Sequence, residues 1–576
     1  MYSIASYSEY AYADAPSVSF IPPALLRIAE SLTANHVIFL EISARENTVT
    51  TLENPLPSAP NALNGAYSAE GYSTLGYSSS NVPRVERETE TFLFSTRPWT
   101  GSPTDPNRAN ERADPRLISA GLFSRSAPID SVVARRGERA IGDATIANPD
   151  GGIDNILTSY TVAGGSIKAW IAEPQDTSDE WALVYEATIT EAEATRTDVR
   201  INITTIAQQL KRSLQTRRYT GGGGLSGDAS VAGHLRPTCW GECPAVDPKL
   251  ISAADNIYQV HDSQIQSVDY VSEGGANFTF TADYADFDAL ANATLAIGEY
   301  ATCKAYGLIR IGIALAGLVY PLRAGIKGDA TGAGYVSSTG DILYRLARNR
   351  ASLSADQVDV ASFNGLPRAR VGFYTNGSQD VAVEHVYNEL LGGVVATFGV
   401  GLNARLQVSR MVPADMQASD RTIRSAQLFD SSVETRPYTP RIKQPYTYSV
   451  NFAPLDADQI SPSADGSTAA RLQAAFYEGE VFQSSTAAIP PTAQPALKTY
   501  FIEESAAISV AYDALLFSAR NLVPLRAEIG RIGLVTDIGK VIEVDEGRFT
   551  ADFRGVVYEH EIDLGASIKS RVVALG

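Results

Sequence analysis

The sequence predicts a mainly β protein of several domains with an α+β insert, and three observations lead to that prediction. The chain has 576 residues, about four times the usual length of one domain. Residues 140–206 and about the last hundred residues contain short runs of strand length, each bounded by turn residues. Residues 340–350 and 379–395 instead carry apolar residues at spacings of three and four, which predicts helices.

Changes in these patterns divide the chain into six predicted segments. They are, in order, N-terminal strands and a proline-rich arm (1–114), a first β-barrel (115–218), a β-rich middle domain (219–330), an α+β domain (331–436), connecting strands with a helix (437–494) and a C-terminal β-barrel (495–576). The two barrels are predicted because strand-length runs follow one another with little but turns between them.

The first segment begins with two predicted strands, residues 36–42 and 91–96, on either side of a Ser-, Pro- and Tyr-rich loop at 54–83. Residues Met1–Pro22 lack the basic segment and the apolar core of a secretion signal. Three cysteines are too few for a disulfide framework. We therefore expect a protein that folds in a reducing cytosol.

The middle domain contains the longest apolar stretch, Gly312–Leu322, which is too short to cross a bilayer as a helix. We predict two buried strands here, at 308–313 and 318–322, around a turn at Ala316–Gly317. Residues 467–477 predict a further amphipathic helix, and from residue 497 onward the pattern predicts short strands.

The arm at 96–116 is predicted to bind a neighbouring subunit or another protein of the same assembly in an extended conformation. Its prolines are Pro98, Pro103, Pro106 and Pro115. Proline lowers the entropy lost when an extended segment is fixed. We expect Trp99 to anchor this interface, since buried indoles commonly dominate binding energy. Arg97, Arg108 and Arg112 would add ion pairs with acidic neighbours.

Acidic residues outnumber basic ones by 65 to 47, which gives a net charge of −18. A surface that grips nucleic-acid phosphates is normally basic. The sequence therefore predicts that DNA can pass this protein without being held.

Three cysteines and one histidine raise the question of a metal site. Cys239 and Cys243 lie in the sequence CWGEC, His234 lies just before them, and Cys303 follows about sixty residues later. Zinc or an iron–sulfur cluster would use such ligands, but this spacing matches no familiar pattern. We therefore predict buried free thiols and no cofactor, with these four residues kept as the candidate ligands.

No enzyme signature occurs in the sequence. The motifs G-x-S-x-G and H-E-x-x-H are absent, and the glycine run at 220–227 is not followed by the GK[ST] of a phosphate-binding loop. We expect a protein without catalytic activity.

Taken together, several blocks of sequence point to one family. In chain order they are STRPWTGSP, LISAGLFSRS, ERAIGDATIANPDGGIDNIL, RSLQTRRYTGGGGLSGDASVAGHLRPTCWGE, DNIYQVHDSQIQSVDYV, YGLIRIGIALAGLVYPLRAGIKGD, GDILYRLA, SLSADQVDVASF, GLNARLQVSRM and the closing segment from VIEV to SRVVALG. In order and spacing they resemble the tail hub proteins (baseplate hub or tail-tip proteins) of long-tailed bacteriophages, prophages and gene transfer agents. The resemblance covers about residues 35–576. CWGEC and Met1–Pro22 depart from the family pattern.

The resemblance implies a virion protein, made in the host cytoplasm and placed in the tail. It implies a homotrimer in which two barrels per chain form a pseudo-six-fold ring. The implied partners are the distal tail protein ring, the tape measure protein, other tail-tip or fibre proteins and, indirectly, the host surface. Genomic DNA would pass through the channel without specific binding.

Two other functions remain open at this point. The 27 tyrosines suit a receptor- or glycan-binding tail protein, because aromatic rings stack on sugars. A tail enzyme that degrades the host envelope is the third hypothesis.

Overall fold

A computed structural model describes most of the chain. The described residues are 23–30, 36–46, 89–127, 138–314, 317–401, 404–433, 442–482, 495–518, 522–545, 553–565 and 567–576. The predicted loop at 54–83 and the Tyr-rich segment Met1–Pro22 lie outside them. Strands dominate the described part, which confirms the mainly β prediction.

The strands are short, as the sequence pattern predicts. The first eleven are β1 (Val37–Glu46), β2 (Thr89–Ser95), β3 (Trp99–Thr100), β4 (Arg112–Ala113), β5 (Leu117–Ser126), β6 (Glu138–Ile141), β7 (Ala144–Ala147), β8 (Tyr160–Thr161), β9 (Ser166–Ala172), β10 (Ala182–Ala194) and β11 (Asp198–Thr204). The next nine are β12 (Thr238–Val246), β13 (Lys249–Ser252), β14 (Ile257–Gln259), β15 (Ile265–Glu273), β16 (Ala276–Asn277), β17 (Thr279–Asp283), β18 (Glu299–Cys303), β19 (Leu308–Ile311) and β20 (Leu322–Asp329). The remaining ones are β21 (Gly372–Thr375), β22 (Ala396–Val400), β23 (Leu406–Arg410), β24 (Arg421–Arg424), β25 (Leu428–Val433), β26 (Lys443–Tyr448), β27 (Tyr477–Phe482), β28 (Leu497–Lys498), β29 (Pro524–Ile529), β30 (Val541–Asp545), β31 (Phe553–Gly565) and β32 (Ile568–Leu575).

The α-helices are fewer and lie mostly in the second half of the chain. They are α1 (Pro23–Glu30), α2 (Asp154–Ser159), α3 (Phe287–Ala291), α4 (Thr339–Asn349), α5 (Val360–Asn364), α6 (Val383–Gly392), α7 (Gly466–Gln473) and α8 (Glu504–Ser518). Helices α4, α6 and α7 confirm three helices predicted from apolar spacing. Ser338 caps α4 by accepting a hydrogen bond from the Asp341 N–H.

The chain divides into two compact units. The smaller unit comprises residues 36–121 and 142–204, and the larger unit comprises the described residues within 1–35, 122–141 and 205–576. The six predicted domains are a finer division than these two units and stay a prediction.

The smaller unit is an antiparallel sheet in the order β2, β1, β9, β10, β11 and β7. In its register Phe39 lies opposite Ser95 on one side and Trp170 on the other. Alternate residues of β9 are buried, as expected when one face of a sheet packs on a core.

An aromatic cluster forms the core of the smaller unit. The rings of Phe39 and Trp181 stack with centroids 3.8 Å apart. Trp99 meets both rings edge-on, at 5.3 Å from Phe39 and 5.0 Å from Trp181, and is only 8% exposed. Edge-to-face contacts of this kind add to the energy of burying the rings. The arm that contains Trp99 is therefore held by its own unit.

The larger unit contains several separate sheets. Two have five strands each, in the orders β16-β15-β20-β12-β21 and β13-β14-β19-β18-β17. A three-stranded sheet follows the order β27-β26-β28, β22 pairs with β23, and β31, β32, β29 and β25 are neighbours in that order, with β30 beside β31. Helices α4, α6 and α8 pack into one extended apolar core in this unit.

Helix α8 is an element that the sequence analysis missed, because strands alone were predicted from residue 497 onward. Its buried residues include Ala507, Ala511 and Leu515 on one side, with Val510 and Ala514 beside them. A helix that is apolar on most of its surface has weak amphipathic periodicity, so its residues resemble a buried strand in sequence.

The strand predicted at 318–322 was also wrong, since β20 begins only at Leu322. The N–H groups of Val319 and Tyr320 donate to the carboxylate of Glu273 at 2.5 and 3.0 Å and so do not join a strand ladder. The turn is confirmed at Gly317, whose N–H donates to Ala314 O at 2.9 Å and whose φ is +80°. Of the helices that the structure describes, none is long and apolar enough to span a bilayer.

No described sheet closes into a barrel, either in the region predicted at 115–218 or in the region at 495–576. Closure requires the first and last strands of a sheet to pair with each other. Alternation of residue types predicts that strands exist and does not specify which of them pair.

We expect Trp99→Ala to lower the free energy of unfolding of the smaller unit by about 3–5 kcal/mol, because the change leaves a cavity between two rings. Denaturant unfolding followed by tryptophan fluorescence measures this change. Ile118→Ala, at a side chain 51% exposed in the same unit, is the matched control and should change stability little. Equal effects of the two substitutions would contradict a core role for Trp99.

Candidate functional site

A buried ionic network lies in the larger unit where β20 meets α4. Arg345 Nη1 of α4 donates to Asp329 Oδ2 at 2.6 Å, and Thr331 donates to Asp329 Oδ1 at 2.7 Å. Asp329 is 1% exposed. Burial acts to raise the pKa of Asp329, but hydrogen bonds with His261, Arg345 and Thr331 outweigh it and hold the pKa below its ordinary value.

His261 connects this ion pair to β12. The Cys239 N–H donates to His261 Nδ1 at 3.0 Å, so the ring hydrogen lies on Nε2. Nε2 is 2.9 Å from Ser263 Oγ and 3.5 Å from Asp329 Oδ1. The ring is completely buried, edge-on to Trp240 at 5.8 Å. His261 therefore links the loop after β14 to β12, through Cys239, and to β20, through Asp329.

A second ion pair extends the network toward the surface. Arg350, which follows α4, donates to both carboxylate oxygens of Asp262 at 2.9 Å. The same guanidinium lies 5.4 Å from the centre of the Trp240 ring and donates to Thr216 Oγ1 at 2.9 Å. Both bonds to Asp262 come from one nitrogen, Nη2, while Nη1 bonds to Thr216, so the guanidinium is held by charge-assisted bonds to two different residues.

This arrangement of serine, histidine and aspartate does not activate a nucleophile. In a catalytic triad one histidine nitrogen accepts the serine proton while the other donates to the carboxylate. In this network Ser263 and Asp329 both face Nε2, and Nδ1 of His261 accepts a backbone N–H. The geometry instead fixes the positions of the surrounding segments.

An arginine-rich surface lies beside the network, and we define it by Lys211, Arg212, Arg217 and Arg218, all exposed. Three of their side chains bond to uncharged groups: Arg212 to Ala351 O at 3.3 Å, Arg217 to Asp262 O at 2.9 Å and Arg218 to Gly233 O at 2.9 Å. Arg236, partly exposed, lies 5.1 Å from the centre of the Tyr219 ring. The segment 205–241 has five Lys and Arg residues and one acid, Asp228.

The glycine run follows directly on this arginine surface. Gly221, Gly223, Gly224 and Gly227 all have positive φ, which glycine adopts without strain. The N–H groups of Gly221 and Gly223 donate to Ser226 O and Gly227 O within the loop. A β-carbon at Gly223 would meet nothing within 4 Å. The loop is thus closed on itself and presents bare backbone to one side.

A second buried polar cluster joins β5 to β31. Arg125 pairs with Asp537 at 2.5 Å, and Gln407 donates to the other oxygen of Asp537 at 2.5 Å. His560 is 1% exposed beside them. Burial, followed by the charge of Arg125, lowers the pKa of His560 to about 3, against the opposing effect of Asp537.

The predicted interface residues are found mostly inside the smaller unit. Trp99 belongs to its core and is 8% exposed, which leaves little of its surface for a neighbouring chain, and its role as an interface anchor stays a prediction. Arg108 pairs with Glu111 at 2.9 Å and also contacts Glu41. Arg97 and Arg112 are exposed, and their role at an interface stays a prediction.

The candidate metal ligands are not brought together. Cys239 and Cys243 lie in one apolar cluster and Cys303 in another, while His234 is exposed. All three thiols are free and buried. Burial is the main cause that raises the pKa of Cys243 and of Cys303. No group of three or more His, Cys, Asp and Glu side chains suited to a metal occurs among the residues that the structure describes.

Sequence analysis missed the network because its partners are far apart in the chain. His261 and Asp329 are 68 residues apart, and neither lies in a known catalytic motif. One signal was present: His261 and Asp262 are adjacent polar residues at the end of the apolar strand β14, where buried polar groups need partners.

Of the comparisons with known proteins, only the comparison with solved structures gave matches. No family model matches the chain, and no curated protein sequence matches it. The solved structures similar to it include tail and virion proteins. They include a tail protein from Neisseria meningitidis MC58 (8% identity, TM-score 0.35, covering 80% of this chain and 95% of that chain), the 43 kDa tail protein of prophage MuSo2 from Shewanella oneidensis (9%, 0.33, 79% and 93%) and the virion of a native gene transfer agent particle (12%, 0.37, 64% and 91%).

We expect Asp329→Asn to destabilise the larger unit by about 3–5 kcal/mol at pH 7, because it leaves Arg345 buried without a countercharge. A lowered pKa gives stability that is present above the ordinary carboxyl pKa and is lost as pH falls through the folded value. The difference between wild type and variant should therefore shrink below about pH 4. Urea unfolding between pH 3 and 7 measures it, with the exposed Asp458→Asn as control. A pH-independent difference would contradict the assignment.

We expect His560 to make the protein less stable in mild acid. Because its folded pKa is about 3, the unfolded chain takes up this proton first as pH falls below about 6.5, and stability falls. The loss between pH 6.5 and 4.5 should be about 2 kcal/mol. In His560→Gln this part of the pH dependence should disappear, whereas His385→Gln, at an exposed histidine of α6, should retain it. Identical pH profiles for wild type and His560→Gln would rule this out.

Proposed function

We propose that this chain is a structural hub or tail-tip protein of a phage-like particle. In this role it joins the six-fold tail tube and distal tail ring to a three-fold tip and forms part of the channel for DNA ejection. It acts as a homotrimer, contacts the distal tail ring, the tape measure protein and other tail-tip or fibre proteins, and performs no catalysis.

This proposal rests on one observation: several of the sequence blocks that resemble the family contribute residues to the same buried network. Three of them supply side chains of the buried network: 255–271 supplies His261 and Asp262, 306–329 supplies Asp329, and 340–347 supplies Arg345. Cys239 N–H and Trp240 of the same network lie in CWGEC, which departs from the family pattern. Segments that resemble one family in order thus also share one interior site.

The character of the network fits an assembly protein. It is buried, tightly paired and without the geometry of a relay, so its effect is to fix four segments relative to one another. A rigid subunit suits a ring that must hold its shape while DNA passes.

We expect the purified full-length protein to have a mass three times 61.6 kDa in solution. Light scattering or sedimentation across a range of protein concentrations measures this mass. Antibody labelling of purified particles should place the chain at the tip end of the tail. A monomer at every concentration together with absence from particles would contradict the hub assignment.

A further inference from the structure

The arginine surface is a local excess of positive charge on an acidic chain, because its four cations outnumber the nearby carboxylate of Asp380, which accepts a hydrogen bond from Ser213. Elsewhere in the described residues many arginines pair with carboxylates, for example Arg345 with Asp329 and Arg410 with Asp513, each at 2.6 Å. The described partners of Arg212, Arg217 and Arg218 are backbone carbonyls. A carbonyl orients a guanidinium but leaves its full charge available to a ligand.

We propose that the arginine surface binds the phosphodiester backbone of nucleic acid. Planar guanidinium groups suit phosphate because two N–H donors match two phosphate oxygens. The proposal goes beyond the hub function, which gives DNA a channel to pass through but assigns no residue that contacts it.

The spread of the side chains favours a polymer over a single small anion. Arg212, Arg217 and Arg218 are held by three different carbonyls, on Ala351, Asp262 and Gly233. They therefore present separate charges along a surface and are not fixed around one point. The neighbouring glycine loop has no side chains in the way, and there is open space beside Gly223. A strand of nucleic acid can therefore approach this backbone closely.

Charge density favours nucleic acid over an acidic protein segment. Duplex DNA carries about one charge per 1.7 Å and a layer of condensed counterions that binding releases. This entropy gain opposes the repulsion that a net charge of −18 exerts on any anion. An acidic peptide has fewer condensed ions to release, so it gains less from the same four side chains.

The contact is weak under physiological conditions. Four phosphate contacts give a slope of about −3.6 in log K against log salt, so affinity falls roughly 150-fold between 50 and 200 mM salt. DNA would be oriented at the surface without being retained, which is compatible with passage through a tail. The expectation that DNA passes this acidic chain without being held stays a prediction, and a weak local contact is consistent with it.

The test is fluorescence anisotropy of a labelled 20-base-pair duplex with the full-length protein at 25–150 mM salt. We expect wild type to bind at low salt. The triple variant R212Q/R217Q/R218Q should bind at least tenfold more weakly, and its salt slope should be smaller in magnitude by about 2.7. Circular dichroism and thermal unfolding establish that the variant is folded.

The matched control is R368Q/R424Q/R571Q, which removes the same number of charges at three exposed arginines of the larger unit. It should bind like wild type. Absence of wild-type binding at 25 mM salt, equal loss in both triple variants, or equally strong binding of labelled polyglutamate would each overturn the proposal. The oligomer mass tests the hub function separately, so the two proposals can fail independently.

Discussion

The buried charge pair between Asp329 and Arg345 is the constraint on which the larger unit depends. An ionised carboxylate in an interior is tolerable only when a countercharge and hydrogen bonds replace the water it has lost. Meeting that demand places α4 against the end of β20 and brings His261 and the β12 backbone to the same point. Packing of apolar side chains alone tolerates small shifts, whereas this set of directed bonds permits one arrangement.

Individual elements show which parts of the fold the sequence could predict and why other parts could not be predicted from it. Helix α4 was predictable because its apolar residues recur at helical spacing and Ser338 caps it, both local features. Helix α8 also carries apolar residues outside its buried side, such as Ala506, Ile508 and Leu516, so residue type alone gave only a weak helical period. The closure of sheets and the meeting of His261 with Asp329 depend on pairing between distant segments, which local patterns do not encode. Trp99 was singled out as an interface anchor, and proline content alone could not show that Phe39 and Trp181 of its own unit pack against it.

Net charge proved a poor guide to local electrostatics. The value of −18 describes the far field, which screening removes within about 10 Å at ordinary ionic strength. Nearer the surface the distribution of charge matters, and residues 205–241 have a net positive charge.

The two buried histidines of the larger unit have different charged neighbours. His261 accepts a backbone bond among carboxylates, whereas His560 lies beside the guanidinium of Arg125, which opposes its protonation.

The three cysteines have a practical consequence for following this protein in time. Each thiol is fully buried, so a thiol reagent in solution reaches it only when the surrounding cluster opens. Cys239 and Cys243 report on one cluster and Cys303 on another, so their separate modification rates record the opening of two regions within one molecule. A cysteine introduced on the surface would react in the closed state, and a single dye could then be attached without removing any native thiol.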